Sequence, residues 1–224
     1  MYRKYYILLF FILTFPLGVF GQQEDFRTWI NVELEGELFD LIDFSLTPEV
    51  RLWDNSTRLD GILGEVDISV PVTKFFRPGL YYRYELDHDR RNSYNNTNRF
   101  GVYAELDERI GRLRMAYRAM YQQEYTNIRT DESGWIPVSV HRHKITLKYR
   151  KKGWDITPGA SVEGFFTLSP KQNTNQEKLR LTAGIRYRLT KKIDLGIDYK
   201  YQKEFNESNP LTSHIISLGA NFEL

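Results

Sequence analysis

Residues 178–201 read KLRLTAGIRYRLTKKIDLGIDYKY. Leu179, Leu181, Ala183, Ile185, Tyr187 and Leu189 alternate with Lys178, Arg180, Thr182, Arg186 and Arg188. After a break at 190–192, Ile193, Leu195, Ile197, Tyr199 and Tyr201 again take every second position. A period of two puts the apolar and charged sets on opposite faces of a strand. Two such runs joined by a short polar break form an antiparallel hairpin. Each run is longer than the roughly 5–6 residues of an average soluble strand and matches the roughly 9–11 residues of a tilted strand crossing a bilayer.

The same pattern extends outward from this hairpin in both directions. Eleven alternating segments are separated by connections near 36–40, 54–61, 73–78, 88–97, 108–111, 126–138, 151–153, 168–177, 190–192 and 206–212. Every second connection is longer than both its neighbours. Outer-membrane β-barrels are organised this way, with tight periplasmic turns and longer external loops. Aromatic residues gather near both sets of strand ends: Trp53, Tyr125 and Phe166 on the long-loop side, and Phe75, Phe76, Tyr149 and Trp154 on the short-turn side. The pattern predicts an all-β, antiparallel, up-and-down transmembrane barrel of about 10–12 strands with its apolar face outward. Single-chain bacterial barrels have even strand numbers. That rule favours ten strands from about 42 to 224, or twelve if one strand is hidden. Segments near 26–35 and 154–166 alternate least cleanly, and 22–40 is left as an extra N-terminal element inside the lumen or at the seam.

Residues 1–21 read as a signal peptide, with a basic start at Arg3 and Lys4, an apolar run from Tyr5 to Phe20, and small residues Val19 and Gly21 at the cleavage site. The run is short for a spanning helix, which needs about 20 residues. The expected organisation is thus 1–21 signal peptide and 22–224 one barrel domain, exported through the secretory pathway to the bacterial outer membrane. Arg3 and Lys4 account for the whole formal net charge of +2. The remaining chain is charge-balanced, which argues against nucleic-acid binding. With no cysteine, disulfides, thiolate metal sites and a lipid-modified N-terminal Cys are all excluded. A charged fraction of 27% and mean hydropathy of −0.51 are compatible with a barrel, because only alternate residues face lipid.

With the apolar face outward, strands three to five turn Glu65, Asp67, Glu85, Asp87, Glu105 and Asp107 into the lumen, together with Arg83, Tyr81 and Tyr103. Strands six, seven and nine supply Arg112, Arg114, Arg118, Arg142, Lys144, Lys148, Arg150, Arg180, Arg186 and Arg188. Two readings follow: an ion-pair network that fills the interior, or a narrow channel with a transverse field. Ser139, His141 and His143 share one face at the start of strand seven and are the candidates for a lipid hydrolase. A base–nucleophile pair needs a third orienting group, and no carboxylate lies close on that strand. The two histidines lack a third metal ligand, and no phosphate loop or H-E-x-x-H motif is present. No cofactor or metal is therefore expected.

Four stretches carry a family resemblance: Thr28-Trp29-Ile30-Asn31-Val32-Glu33-Leu34, Pro48-Glu49-Val50-Arg51-Leu52, Gly79-Leu80-Tyr81-Tyr82-Arg83-Tyr84, and the terminal Leu218-Gly219-Ala220-Asn221-Phe222-Glu223-Leu224. Together they resemble the domain of unknown function 2490 family of Gram-negative outer-membrane proteins. The resemblance implies fold and location but no activity. The last residue is Leu224, where barrels usually present an aromatic to the outer-membrane assembly machinery; Phe222 lies on the same face. The sequence thus predicts a non-enzymatic outer-membrane barrel, structural or a narrow porin-like pore, whose partners are membrane lipids and, during insertion, the assembly machinery. The alternatives are the lipid hydrolase and an accessory subunit of an envelope complex that contacts its partner through loops such as the one holding Trp135.

Overall fold

The computed structural model describes residues 23–88, 94–127, 136–168, 177–207 and 209–224. The segment 1–21 read as a signal peptide and Trp135 lie outside the described residues. Eleven strands follow in chain order: β1 (Gln23–Leu38), β2 (Ile42–Trp53), β3 (Arg58–Ser69), β4 (Phe76–His88), β5 (Tyr94–Ile110), β6 (Leu113–Thr126), β7 (Val138–Tyr149), β8 (Ile156–Thr167), β9 (Glu177–Arg188), β10 (Ile193–Phe205) and β11 (Leu211–Glu223). Each pairs antiparallel with its neighbours in sequence, and β1 closes the ring against β11.

That closure corrects the even-strand expectation. The segment left over as an extra element is a full wall strand, the 16-residue β1. It pairs antiparallel with β2 and parallel with β11, from Gln23 opposite Leu211 to Glu35 opposite Glu223. An odd count brings the first and last strands together running the same way. A parallel seam satisfies their backbone groups as completely as a hairpin would, so no edge is left open. The ladder continues to the chain end, where Leu224 N–H donates to the Glu35 carbonyl at 3.0 Å. β1 begins at the long-loop end of the barrel, whereas the chain finishes at the short-turn end.

Alternation sorts the side chains as a membrane barrel would. Leu80, Val102, Ile145, Ile197 and Leu218 are exposed on the outer wall, whereas Tyr81, Tyr103, Gln122, Glu85 and Glu163 are buried inside. Phe75, Trp154 and Phe166 are exposed at the two rims. A 12-residue strand rising about 3.3 Å per residue at about 40° tilt reaches about 30 Å along the axis. Eleven strands about 4.8 Å apart close at a diameter of about 22 Å between opposite backbones. Long side chains from facing walls therefore meet.

Glycines on the inner face help those side chains lie flat. A Cβ at Gly196 would meet the Arg186 guanidinium at 2.5 Å, and one at Gly219 would meet Asn31 Oδ1 at 2.7 Å. Each glycine sits beside the residue whose side chain crosses it, in register for the Gly196–Arg186 and Gly219–Asn31 pairs. The tight β5–β6 turn uses Gly111 at φ 64°, a conformation that costs glycine little.

Candidate functional site

Rings and guanidinium groups alternate across the interior, mostly in the half of the barrel nearer the long loops. Arg51, Lys200 and Arg180 approach the Trp29 ring centre to 4.1, 4.6 and 5.2 Å. Arg180 also faces Phe165 at 5.0 Å, and Arg142 faces the same ring at 4.9 Å. Arg142 lies 6.0 Å from Tyr81, which has Arg83 at 5.6 Å. These contacts run from β1 and β2 through β10, β9, β8 and β7 to β4, so the stack spans the barrel. Cations within about 6 Å of a ring face are attracted by its quadrupole.

Carboxylates hold the stack together. Glu163, 4% exposed, receives Arg142 at 2.7 Å and Arg180 at 3.5 Å. Lys144 stands opposite Glu163 in register. Glu85, 3% exposed, bridges Arg51 at 2.9 Å and Arg99 at 2.6 Å. Arg51 also reaches Glu49 at 2.6 Å. Below and beside this layer, Arg83 pairs with Glu65 at 2.6 Å, and Arg118 with Glu105 at 2.7 Å and Asp67 at 3.6 Å. Tyr103 donates to Asp67, and its ring lies 4.1 Å from Arg118. Toward the short-turn end Arg114 pairs with Asp107, Arg186 with Asp198 at 2.9 Å, and Lys148 stands opposite Arg114.

The structure brings Glu65, Asp67, Arg83, Glu85, Glu105, Arg118, Arg142, Lys144 and Arg180 into one interior and mixes the two walls, whereas Arg112, Arg150 and Arg188 lie exposed at the short-turn end, with Arg112 against the Tyr149 hydroxyl. Arginines on β2, β4 and β5 neutralise the acidic side, and Glu163 and Asp198 stand within the basic side.

Ser139, His141 and His143 face outward instead. The Ser139 hydroxyl lies 3.1 Å from the Tyr121 hydroxyl, and His143 Nδ1 lies 2.8 Å from the Tyr117 hydroxyl. Tyr125 donates to Gln123 Oε1 at 3.1 Å, and Gln123 Nε2 donates to Tyr121 at 3.1 Å. A hydrogen-bonded strip of polar groups thus climbs the outer wall along β6 and β7. The serine is engaged by a tyrosine, which is not the arrangement that activates a nucleophile.

The family described as "Protein of unknown function (DUF2490)" matches residues 26–212. The chain belongs to the DUF2490 family. No curated protein matches it. A solved structure described as the NanC porin in a rhombohedral crystal form is similar to the DUF2490 barrel, with a TM-score of 0.52 at 16% identity over 79% of this chain and 86% of that one. At that identity the likeness is one of fold.

Several residues that build this mixed centre are not singled out by the sequence as lumen charges or rings: Trp29, Phe165, Lys200 and above all Glu163, together with Glu49 and Arg99, which the alternation does place on the polar faces of β2 and β5. Trp29 sits on the segment whose alternation was weakest. Glu163 lies on β8, whose sequence ITPGASVEGFFT places Pro158, Gly159 and Gly164 among its residues and blurs the period of two. A carboxylate on the strand between the basic β7 and β9 is the available signal.

Proposed function

We propose that this barrel spans the bacterial outer membrane as a porin-like protein whose charge-lined lumen is closed by the stack of rings and guanidinium groups, after secretory export and removal of residues 1–21. The observation that carries the proposal is the inside-out distribution of polarity. Leu80, 59% exposed, and its outward neighbours wrap a core of buried glutamates and glutamines with half-buried arginines between them. In water this would leave a large continuous apolar surface uncovered. In a bilayer it supplies the apolar band about 25 Å tall that such barrels need. The porin-like fold supports the same reading. Cell fractionation with heat-modifiable gel migration tests it: recovery in the membrane fraction with a mobility shift on boiling is expected, and a soluble protein without a shift overturns it.

The parallel seam adds a topological prediction. The start of β1 shares an end with the long loops, which such barrels place outside the cell. An epitope inserted after Gln22 is expected to be reached by antibody on intact cells, as is one inserted between His88 and Tyr94. An epitope after Leu224 is expected to need a permeabilised outer membrane. Labelling of both termini from the same side would refute the eleven-strand closure.

The closed centre predicts the electrical behaviour. In planar bilayers the unaltered protein is expected to give no resolvable conductance steps. Trp29→Ala combined with Phe165→Ala, which removes two rings from the transverse stack, is expected to produce them. Discrete, salt-dependent steps from the unaltered protein would overturn the closed lumen. The outward Ser139, His141 and His143 are better suited to holding lipid than to cleaving it, and an unchanged membrane lipid profile is expected for Ser139→Ala.

A further inference from the structure

The outer wall carries a groove of about 410 Å³ across β3, β4, β5 and β6. Its floor and sides come from Ile68, Leu80, Val102 and Tyr121, which are successive partners in register, and from Val66 and Phe100 in the row beside them. The same row continues from Tyr121 to His141 and Phe166. Because the strands tilt, the row climbs as it crosses the sheet. Ile68 is next to last on β3, near the short turns; His141 is the fourth residue of β7, beside a long loop. The groove therefore slants up the wall from an apolar lower end to the polar strip of Tyr125, Gln123, Tyr121 and Ser139.

Two independent observations meet here: an apolar depression, and hydrogen-bonding side chains on a surface where polar groups are costly when they face hydrocarbon. Resting on the membrane reading above, we propose that this is a binding site for one acylated glycolipid of the outer leaflet, lipid A in chemical type. One acyl chain lies in the groove, and the ester- and hydroxyl-rich sugar backbone meets the strip. The direction of the polarity gradient fits this occupant. The polar end lies at the long-loop rim, which is the outer leaflet, so head and tail point the right way. The strip itself holds donors and acceptors of no net charge, Tyr, Gln and Ser, with His141 beside them. Esters, amides and hydroxyls are its natural complement, more than a lone phosphate, which takes Arg or Lys. Tyr117 with His143 extends the strip downward along the wall.

Native mass spectrometry of the full protein extracted from membranes in mild detergent tests the site, with purified lipid A and phosphatidylethanolamine as added probes. The unaltered protein is expected to retain one lipid A. Val102→Trp, which fills the groove from an outward, exposed position, is expected to reduce retention at least about tenfold. Gln123→Leu with Ser139→Ala is expected to act in the same direction through the strip. Ile197→Trp, on a distant part of the outer wall, keeps the adduct. Heat-modifiable migration of each variant shows that it has folded. Equal retention in Val102→Trp and the unaltered protein, preference for phosphatidylethanolamine, absence of any adduct, or a dimer in place of a lipid adduct would each overturn the proposal. A protein recovered from membranes with its mobility shift but no adduct sinks only this site; a soluble protein sinks the membrane reading itself.

Discussion

Glu163→Ala is expected to destabilise the barrel by about 3–5 kcal/mol, the cost of removing one partner from a buried charge network. The carboxylate is 4% exposed and sits between Arg142 and Arg180, with Lys144 opposite in register. Removing it leaves three cations close together around a cavity the size of the lost side chain. The two arginines also share the Phe165 ring, so their repulsion acts on the stack of rings and cations that crosses the interior. Glu163→Gln keeps an acceptor for Arg142, now at 2.7 Å, and loses only the charge; its cost should fall between Ala and the unaltered protein. Glu163→Leu with Arg142→Met removes both members of the pair and should cost clearly less than the two single losses together. Equilibrium refolding from denaturant into lipid vesicles, or the temperature at which the folded band disappears, provides the measurement. A loss below about 1 kcal/mol for Glu163→Ala, in the range of an exposed ion pair, would mean that the network is solvated and does not close the lumen.

Much of this architecture is written locally. The hairpin of β9 and β10 is legible because Arg180 and Arg186 fall on one parity and Leu181 and Ile185 on the other. The outward direction of the apolar face is legible because charges occur in the middle of strands too long for a soluble sheet. The contacts that decide the interior are not local. Arg51 to Glu85 skips β3, and Arg180 to Trp29 crosses from β9 to β1. Such pairs depend on tilt and closure, which no single strand records. The seam shows the same limit from the other side. A rule drawn from even-numbered barrels set β1 aside, although the count of eleven segments and the alternation of loop lengths already placed its start at the long-loop end. The outer strip is a register effect: Tyr121 and Ser139 each look ordinary until pairing places Gln123 opposite Ser139 and Tyr121 opposite His141.

Leu218→Arg separates a membrane barrel from a soluble one by the size of a single number. Leu218 is 42% exposed on the outward face near the middle of β11, beside Ile30 of β1 and Ile197 of β10. In water, an arginine at so exposed a position has room to solvate its guanidinium, and surface substitutions of this kind change stability by about 0.5 kcal/mol or less. In a bilayer the same side chain would stand near the midplane, where arginine on the lipid face costs about 2–4 kcal/mol. The penalty should also decay with depth. Leu224, 67% exposed just past the short-turn end of β11, lies where a long cationic side chain reaches the interface, so Leu224→Arg is expected to cost about 0–1 kcal/mol. Both residues are leucines of one parity on the same rising segment, which removes most differences except height on the wall. Refolding each variant into vesicles and comparing unfolding free energies gives the gradient directly. A large loss at 218 with little at 224 requires hydrocarbon around the middle of the barrel. Equal, small losses at both positions require water there, and would return the apolar belt to the category of an unburied protein interface.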